Sequence, residues 1–190
     1  MSEDRDEDEA PFASLLAGSP AGFVANEIEA YAPLAPCIGC GHASRGDRRI
    51  VRPFAVNEDL FAGASVTLPD FVSIRYGGLI VSKRFADALR TFGARGVSLG
   101  EVLRADTGQV STQFFQLTAT SAITAPCAGH TRLATPPCAL CGYSEGRRPR
   151  NVYLEEGFLR ELDVVSRSPY GTSELYFSRA LRAYVEEAGI

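Results

Sequence analysis

Five cysteines and two histidines stand in this chain of 190 residues, and four of the cysteines fall into one pentapeptide used twice. The copies are Cys37-Ile38-Gly39-Cys40-Gly41 and Cys138-Ala139-Leu140-Cys141-Gly142, each entered through proline. Two residues between the cysteines and a glycine after the second let the backbone fold back on itself. Neighbouring N–H groups then point at the sulfurs of a metal-bound thiolate pair, the knuckle of a zinc ribbon. One C-x-x-C is also a redox spacing, but two copies that share the trailing glycine point to metal. Cys37, Cys40, Cys138 and Cys141 are the expected ligands of one tetrahedral Zn2+. With no position left for water such a site is structural, and its binding free energy is folding free energy.

A second ligand set exists. Cys127 and His130 precede the second knuckle and complete the string C-x2-H-x7-C-x2-C, enough donors for a zinc of their own. The first knuckle would then draw on His42, two residues past Cys40, or on a carboxylate such as Asp47. The plainer reading makes Cys127 a small buried hydrophobe and His42 and His130 loop residues. A redox role for either pair needs a thiolate at a helix N-terminus in a thioredoxin-like βαβ setting, and neither pair has that setting.

Catalysis finds little purchase. Both histidines lie beside cysteines, so a Ser-His-Asp triad or a histidine base is hard to assemble, and neither a P-loop nor a G-x-G-x-x-G is present. The expectation is a protein that is not an enzyme. Arginines follow both knuckles, Arg45, Arg48, Arg49 and Arg52 after the first and Arg147, Arg148 and Arg150 after the second. They fit a solvated hairpin, an acidic protein partner, or nucleic acid. Stacking aromatics are not interleaved with them beyond Phe54, Tyr143 and Tyr153, so a single-strand platform is not evident.

Charge has to be localised before it means anything. Residues 2–9 hold six acids and one arginine, a net of −5, so against the whole-chain −4 the remainder stands near +1. A general nucleic-acid binder calls for a basic excess on its folded part, which this balance does not provide. An acidic start is also the reverse of a secretion signal, and no apolar run has bilayer length. The expected setting is soluble and cytoplasmic, where reduced thiols favour metal ligation over disulfides. A hydrophobic content of 45% is that of a packed globular chain.

The elements that must position the cysteines read as α+β. Leu79-Ile80-Val81 has the composition of a buried strand, followed by Ser82 as an N-cap and by a helix with Phe85, Ala88, Leu89 and Phe92 on one face. Val110 to Leu117 and Phe23 to Tyr31 also read as strands, and Leu154, Phe158 and Leu162 are spaced for a short helix. Similarity recurs along the chain: Asp70-Phe71-Val72-Ser73 matches Asp163-Val164-Val165-Ser166 at an offset of 93. Phe85 to Phe92 matches Phe177 to Tyr184 at 92, and both helices run out at glycine. Two related halves follow, each with a zinc knuckle, short strands and a C-terminal amphipathic helix. The divisions are an acidic disordered tail 1–11, a first half 12–108 and a second half 109–190. Halves of this size bury modest apolar area, for which a metal is a natural staple.

The paired knuckles, Pro136-Pro137-Cys138 through Arg150, Leu162-Asp163 through Arg179 to Gly189, and the stretch Leu79 to Gly96 resemble the double-CXXCG motif family. Its members are bacterial, largely myxobacterial, proteins that include immunity proteins of toxin and immunity pairs. The chain departs from that family's tryptophan-containing first half, having no tryptophan. The resemblance implies neutralisation of a cognate toxin by direct binding, with Cys37, Cys40, Cys138 and Cys141 holding zinc away from the toxin contact. An acidic tail would steer association with a basic nuclease-type toxin.

Overall fold

Three successive apolar residues, Leu79-Ile80-Val81, put side chains on both faces of a strand, which is favourable only where both faces are covered. The computed structural model describes residues 12–14, 22–33, 35–41, 48–61, 70–74, 78–121, 138, 140, 161–166 and 175–190. Its strands are β1 (Phe12–Ser14), β2 (Tyr31–Pro33), β3 (Arg48–Ile50), β4 (Phe54–Val56), β5 (Phe71–Ser73), β6 (Leu79–Ser82), β7 (Val97–Arg104), β8 (Val110–Ala119), β9 (Val164–Ser166) and β10 (Leu175–Ser178). The described α-helices are α1 (Lys83–Phe92) and α2 (Arg179–Glu187), and a 3-10 turn spans Glu58–Phe61. The class is α+β, as expected. A five-stranded sheet has the order β4-β7-β8-β6-β5, a three-stranded sheet the order β1-β10-β9, and β2 and β3 form a two-stranded pair.

Alternation along the large sheet feeds two cores. Leu79, Val81 and Leu117 face α1 and α2, joining Phe85, Leu89, Val164, Phe177, Leu181 and Val185. Ile80, Val72, Val102 and Phe114 point the other way, onto Phe23, Tyr31, Phe54 and Val56. Each fully buried phenylalanine removes enough apolar surface from water to contribute about 1.5–3 kcal/mol before entropy is counted. Rings meet edge to face, Phe23 on Phe114 at 5.1 Å and Phe85 on Phe177 at 6.3 Å between centroids.

Two hairpin–helix units are built alike. In the first, β5 pairs antiparallel with β6 and the chain enters α1 through Ser82, whose Oγ accepts from the Phe85 N–H at 3.1 Å and donates to Asp70 Oδ1 at 2.5 Å. In the second, β9 pairs antiparallel with β10 and the chain enters α2 through Ser178. Its Oγ accepts from the Leu181 N–H at 3.2 Å and donates to Asp163 Oδ1 at 3.1 Å. The same backbone bond also closes both units, Ser82 N to Asp70 O at 3.1 Å and Ser178 N to Asp163 O at 2.8 Å.

The helix expected from Phe177 begins two residues later. Phe177 lies in β10 and is buried, because Ser178 is the residue that caps. Cap to cap the offset is 96, not 92, a difference of about one helical turn that the 3.6-residue apolar period conceals. The stretch expected as a strand from Phe23 to Tyr31 is turns as far as Ala30, with an isolated bridge from Val24 to Val56, and enters a strand only at Tyr31, the first residue of β2. Ala30 N bonds Asn26 O at 2.9 Å in a helical turn, and the Asn26 side chain takes over strand pairing against β4, accepting from Ala55 N at 2.7 Å and donating to Pro53 O at 3.0 Å. The expected turn at Asp106-Thr107-Gly108 is present, with Gly108 N bonded to Arg104 O at 2.8 Å. It joins β7 to β8, and since β8 lies between β6 and β7 the sheet runs across the 108/109 division. The acidic tail and the helix expected around Leu154 and Phe158 lie outside the described residues.

Candidate metal centre

The first knuckle is carried by the β2–β3 hairpin, and that hairpin is anchored in the second core. Tyr31 is buried, its ring packs edge-on against Phe54 at 5.5 Å, and its Oη accepts from the Gly78 N–H at 3.1 Å. Gly78 has no room for a side chain, since a Cβ there would stand 2.5 Å from that oxygen. The return strand is fixed by Tyr31 opposite Ile50 and by Val51 N on Ala30 O at 2.9 Å. From this base the chain leaves through exposed Pro33, Ala35 and Pro36, whose prolines limit the conformations open to the segment before it folds.

Inside the knuckle the turn closes on itself. Gly41 N donates to Cys37 O at 2.7 Å with Gly41 at φ 68°, a left-handed conformation that glycine adopts without a Cβ penalty. Gly39 N donates to Cys37 Sγ at 3.4 Å, the N–H to sulfur contact that the pentapeptide implied.

Across 101 residues of chain, Cys138 Sγ comes to 3.8 Å from Cys37 Sγ. The ligand atoms of Cys37, Cys40 and Cys138 all lie within 4.8 Å of one another. Cys40 is exposed and the other two are half-buried. A tetrahedron with Zn–S bonds of about 2.3 Å has S–S edges of about 3.8 Å, so the cross-knuckle contact has the length that a shared tetrahedral ion demands. Three thiolates from two distant segments can hold a metal ion, and the soft all-sulfur donor set suits zinc or iron over magnesium or calcium.

Cys141, the fourth expected ligand, lies outside the described residues, as do Cys127, His130, His42 and Asp47 of the alternative sets. So do Arg45, Arg147, Arg148 and Arg150. Arg48 and Arg49 fall in β3, opposite Pro33 and Ala32, and Arg52 is exposed just beyond.

One contact was not anticipated from the sequence. A Cβ on Gly39 would stand 2.9 Å from Leu140 Cδ1 and 3.5 Å from Cys138 Sγ, so the middle residues of the knuckles face each other. The signal was in the pentapeptides: the third position is glycine in one copy and leucine in the other, a small residue against a large one. Ile38 and Leu140 are left 98% and 65% exposed.

No helix among the described residues is long and apolar enough to cross a membrane. No protein-family model matches the chain, and no curated protein matches it.

Proposed function

We propose that the chain is a zinc-stabilised, non-enzymatic binding protein of the cytoplasm, of the immunity type, which neutralises a cognate bacterial toxin by direct contact. The observation that carries the reading is the convergence of Cys37, Cys40 and Cys138 within 4.8 Å, from segments about a hundred residues apart. With Cys141, the residue after Leu140 in the same pentapeptide, as the fourth expected ligand, the four thiolates would close one Zn2+ and leave no coordination position for a substrate. Zinc in this role ties two parts of the chain together. The likeness of the two hairpin–helix units, each with an aspartate bonded to its capping serine, supports two related halves joined at the knuckles.

Purification from the native cell supplies the test. The immunity reading expects a stoichiometric protein partner that arrests bacterial growth when expressed alone and is harmless when co-expressed with this chain. A partner harmless by itself contradicts it. A second reading, a zinc-ribbon nucleic-acid-binding or transcription-associated protein, is favoured by Arg48 and Arg49 lying on the strand that returns from the knuckle. It expects DNA or RNA binding with a steep negative salt slope that is lost when Arg48, Arg49, Arg147 and Arg148 are replaced, where the immunity reading expects no such binding.

A further inference from the structure

We propose that the open edge of β7 is a docking strand for a second copy of this chain, paired antiparallel about a two-fold axis at Ser98. The pairing rests on neither the zinc nor the toxin reading. β7 lies between two neighbours of unequal reach: β8 accompanies it from Val97 to Leu103, β4 only from Val102 to Arg104. Along Val97 to Gly100 the side away from β8 carries no strand and no hydrogen bond among the described residues. The ladder fixes which groups are left there. Thr120 N donates to Gly96 O at 2.9 Å, which makes 96 and 120 a hydrogen-bonded pair, and such pairs alternate along an antiparallel ladder. Ser98 opposite Thr118 and Gly100 opposite Gln116 therefore turn N–H and C=O to β8, and Val97 and Leu99 turn theirs off the sheet.

A second copy takes up all of these groups in one register. Val97 stands opposite Leu99 of the second copy and Leu99 opposite its Val97, so each pair exchanges both of its N–H to C=O bonds. Val97 and Leu99, both half-buried, then share one face, while exposed Ser98 meets its own copy on the other. Charge fits the same register. Glu101 is exposed and its carboxylate has no ionic partner among the described residues. Arg95 reaches Asp163 through Nε at 3.1 Å and keeps a side chain that is 55% exposed. The register sets residue 101 opposite residue 95 of the second copy, acid against base at both ends, with no like charges facing. An unrelated extended peptide could use the same backbone groups, but only this chain brings its own matching pair of charges. The contact is also self-limiting: Gly96 at φ 81° ends the strand on one side and β4 closes the open run on the other, so pairing stops at a closed dimer.

An edge this short joins few groups, so the dimer is weak and forms as concentration rises. Sedimentation equilibrium of the full chain in reducing buffer, from about 1 μM to 1 mM, should show a monomer passing into a dimer and no larger species. Ser98 is exposed, and replacing it leaves the backbone ladder to β8 intact. Ser98→Lys and Ser98→Asp each set like charges face to face on the axis and should weaken the dimer about fivefold, whereas their equimolar mixture should associate at least as tightly as the parent chain. Amide exchange gives the second readout: Val97 and Leu99 should gain protection only at high concentration, and Ser98 and Gly100, bonded to β8, should be protected throughout. A monomer at every concentration overturns the proposal. So does a dimer that the two variants and their mixture leave unchanged, or one in which the Val97 and Leu99 amides exchange alike at both ends of the range.

Discussion

Gly39 shows how much a single position decides at the metal centre. Its backbone N–H reaches the Cys37 sulfur, and its missing side chain leaves space for Leu140 beside the Cys138 sulfur. Alanine at 39 crowds the flexible end of Leu140 and meets Cys138 Sγ only at ordinary contact distance, so it should be tolerated. Valine adds γ carbons toward Cys138 Sγ, and zinc affinity measured by competition with a chelator should fall about tenfold, as for other residues that orient metal ligands from behind. Asp70 decides a different property. Burial tends to raise its pKa, but hydrogen bonds from Arg84 and Ser82 and the Arg84 charge outweigh that and hold it below 3.8. A carboxyl whose pKa is lower folded than unfolded adds stability at neutral pH and loses it as acid is added below 3.8. Urea midpoints between pH 7 and pH 3 should therefore fall less steeply in Asp70→Asn than in the parent chain. An equal slope in both would remove Asp70 from the acid response.

At the scale of the element, the serines that open the helices and the backbone around Gly96 set the predictions. Ser82→Ala and Ser178→Ala should each cost about 1 kcal/mol in denaturant unfolding, the usual worth of an N-cap, and more for Ser178, whose partner Asp163 is buried. Gly96 sits at φ 81° with a would-be Cβ 2.4 Å from the Val164 carbonyl oxygen, so Gly96→Ala combines strain with a backbone clash. A loss of about 2–4 kcal/mol is expected, because the nearest atom is a backbone carbonyl oxygen, which cannot swing aside as a side-chain end can. These elements were legible in the sequence to different degrees. Leu79 to Val81, the Ser82 cap and α1 could be read directly, since apolar run, cap and 3.6-residue stripe agree there. Phe177 misled, because an apolar residue four positions before Leu181 satisfies helical spacing whether it lies in the helix or in the strand ahead of it. The turn at Asn26 was hidden for another reason: a strand-like composition was overridden by a side-chain amide that does a backbone's work.

For the molecule as a whole, the knuckle spacing made the cysteine cluster legible, whereas the partnership of Cys37 with Cys138 across 101 residues depended on a fold that spacing does not encode. Periodicity likewise located the strands but not the order β4-β7-β8-β6-β5, which is set by long-range pairing between segments that share no local signal. If zinc ties these parts together, chelation acts on global stability: an excess of a strong zinc chelator should lower the melting temperature by several degrees or more, and zinc but not magnesium should restore it. The most direct test of the central claim is native mass spectrometry of protein purified without chelator, comparing the intact mass with the mass after acid denaturation. One zinc per chain, absent from Cys37→Ala and from Cys138→Ala, is the predicted result. An intact mass with no metal and free thiols, or two zinc ions per chain, would contradict a single site shared between the knuckles.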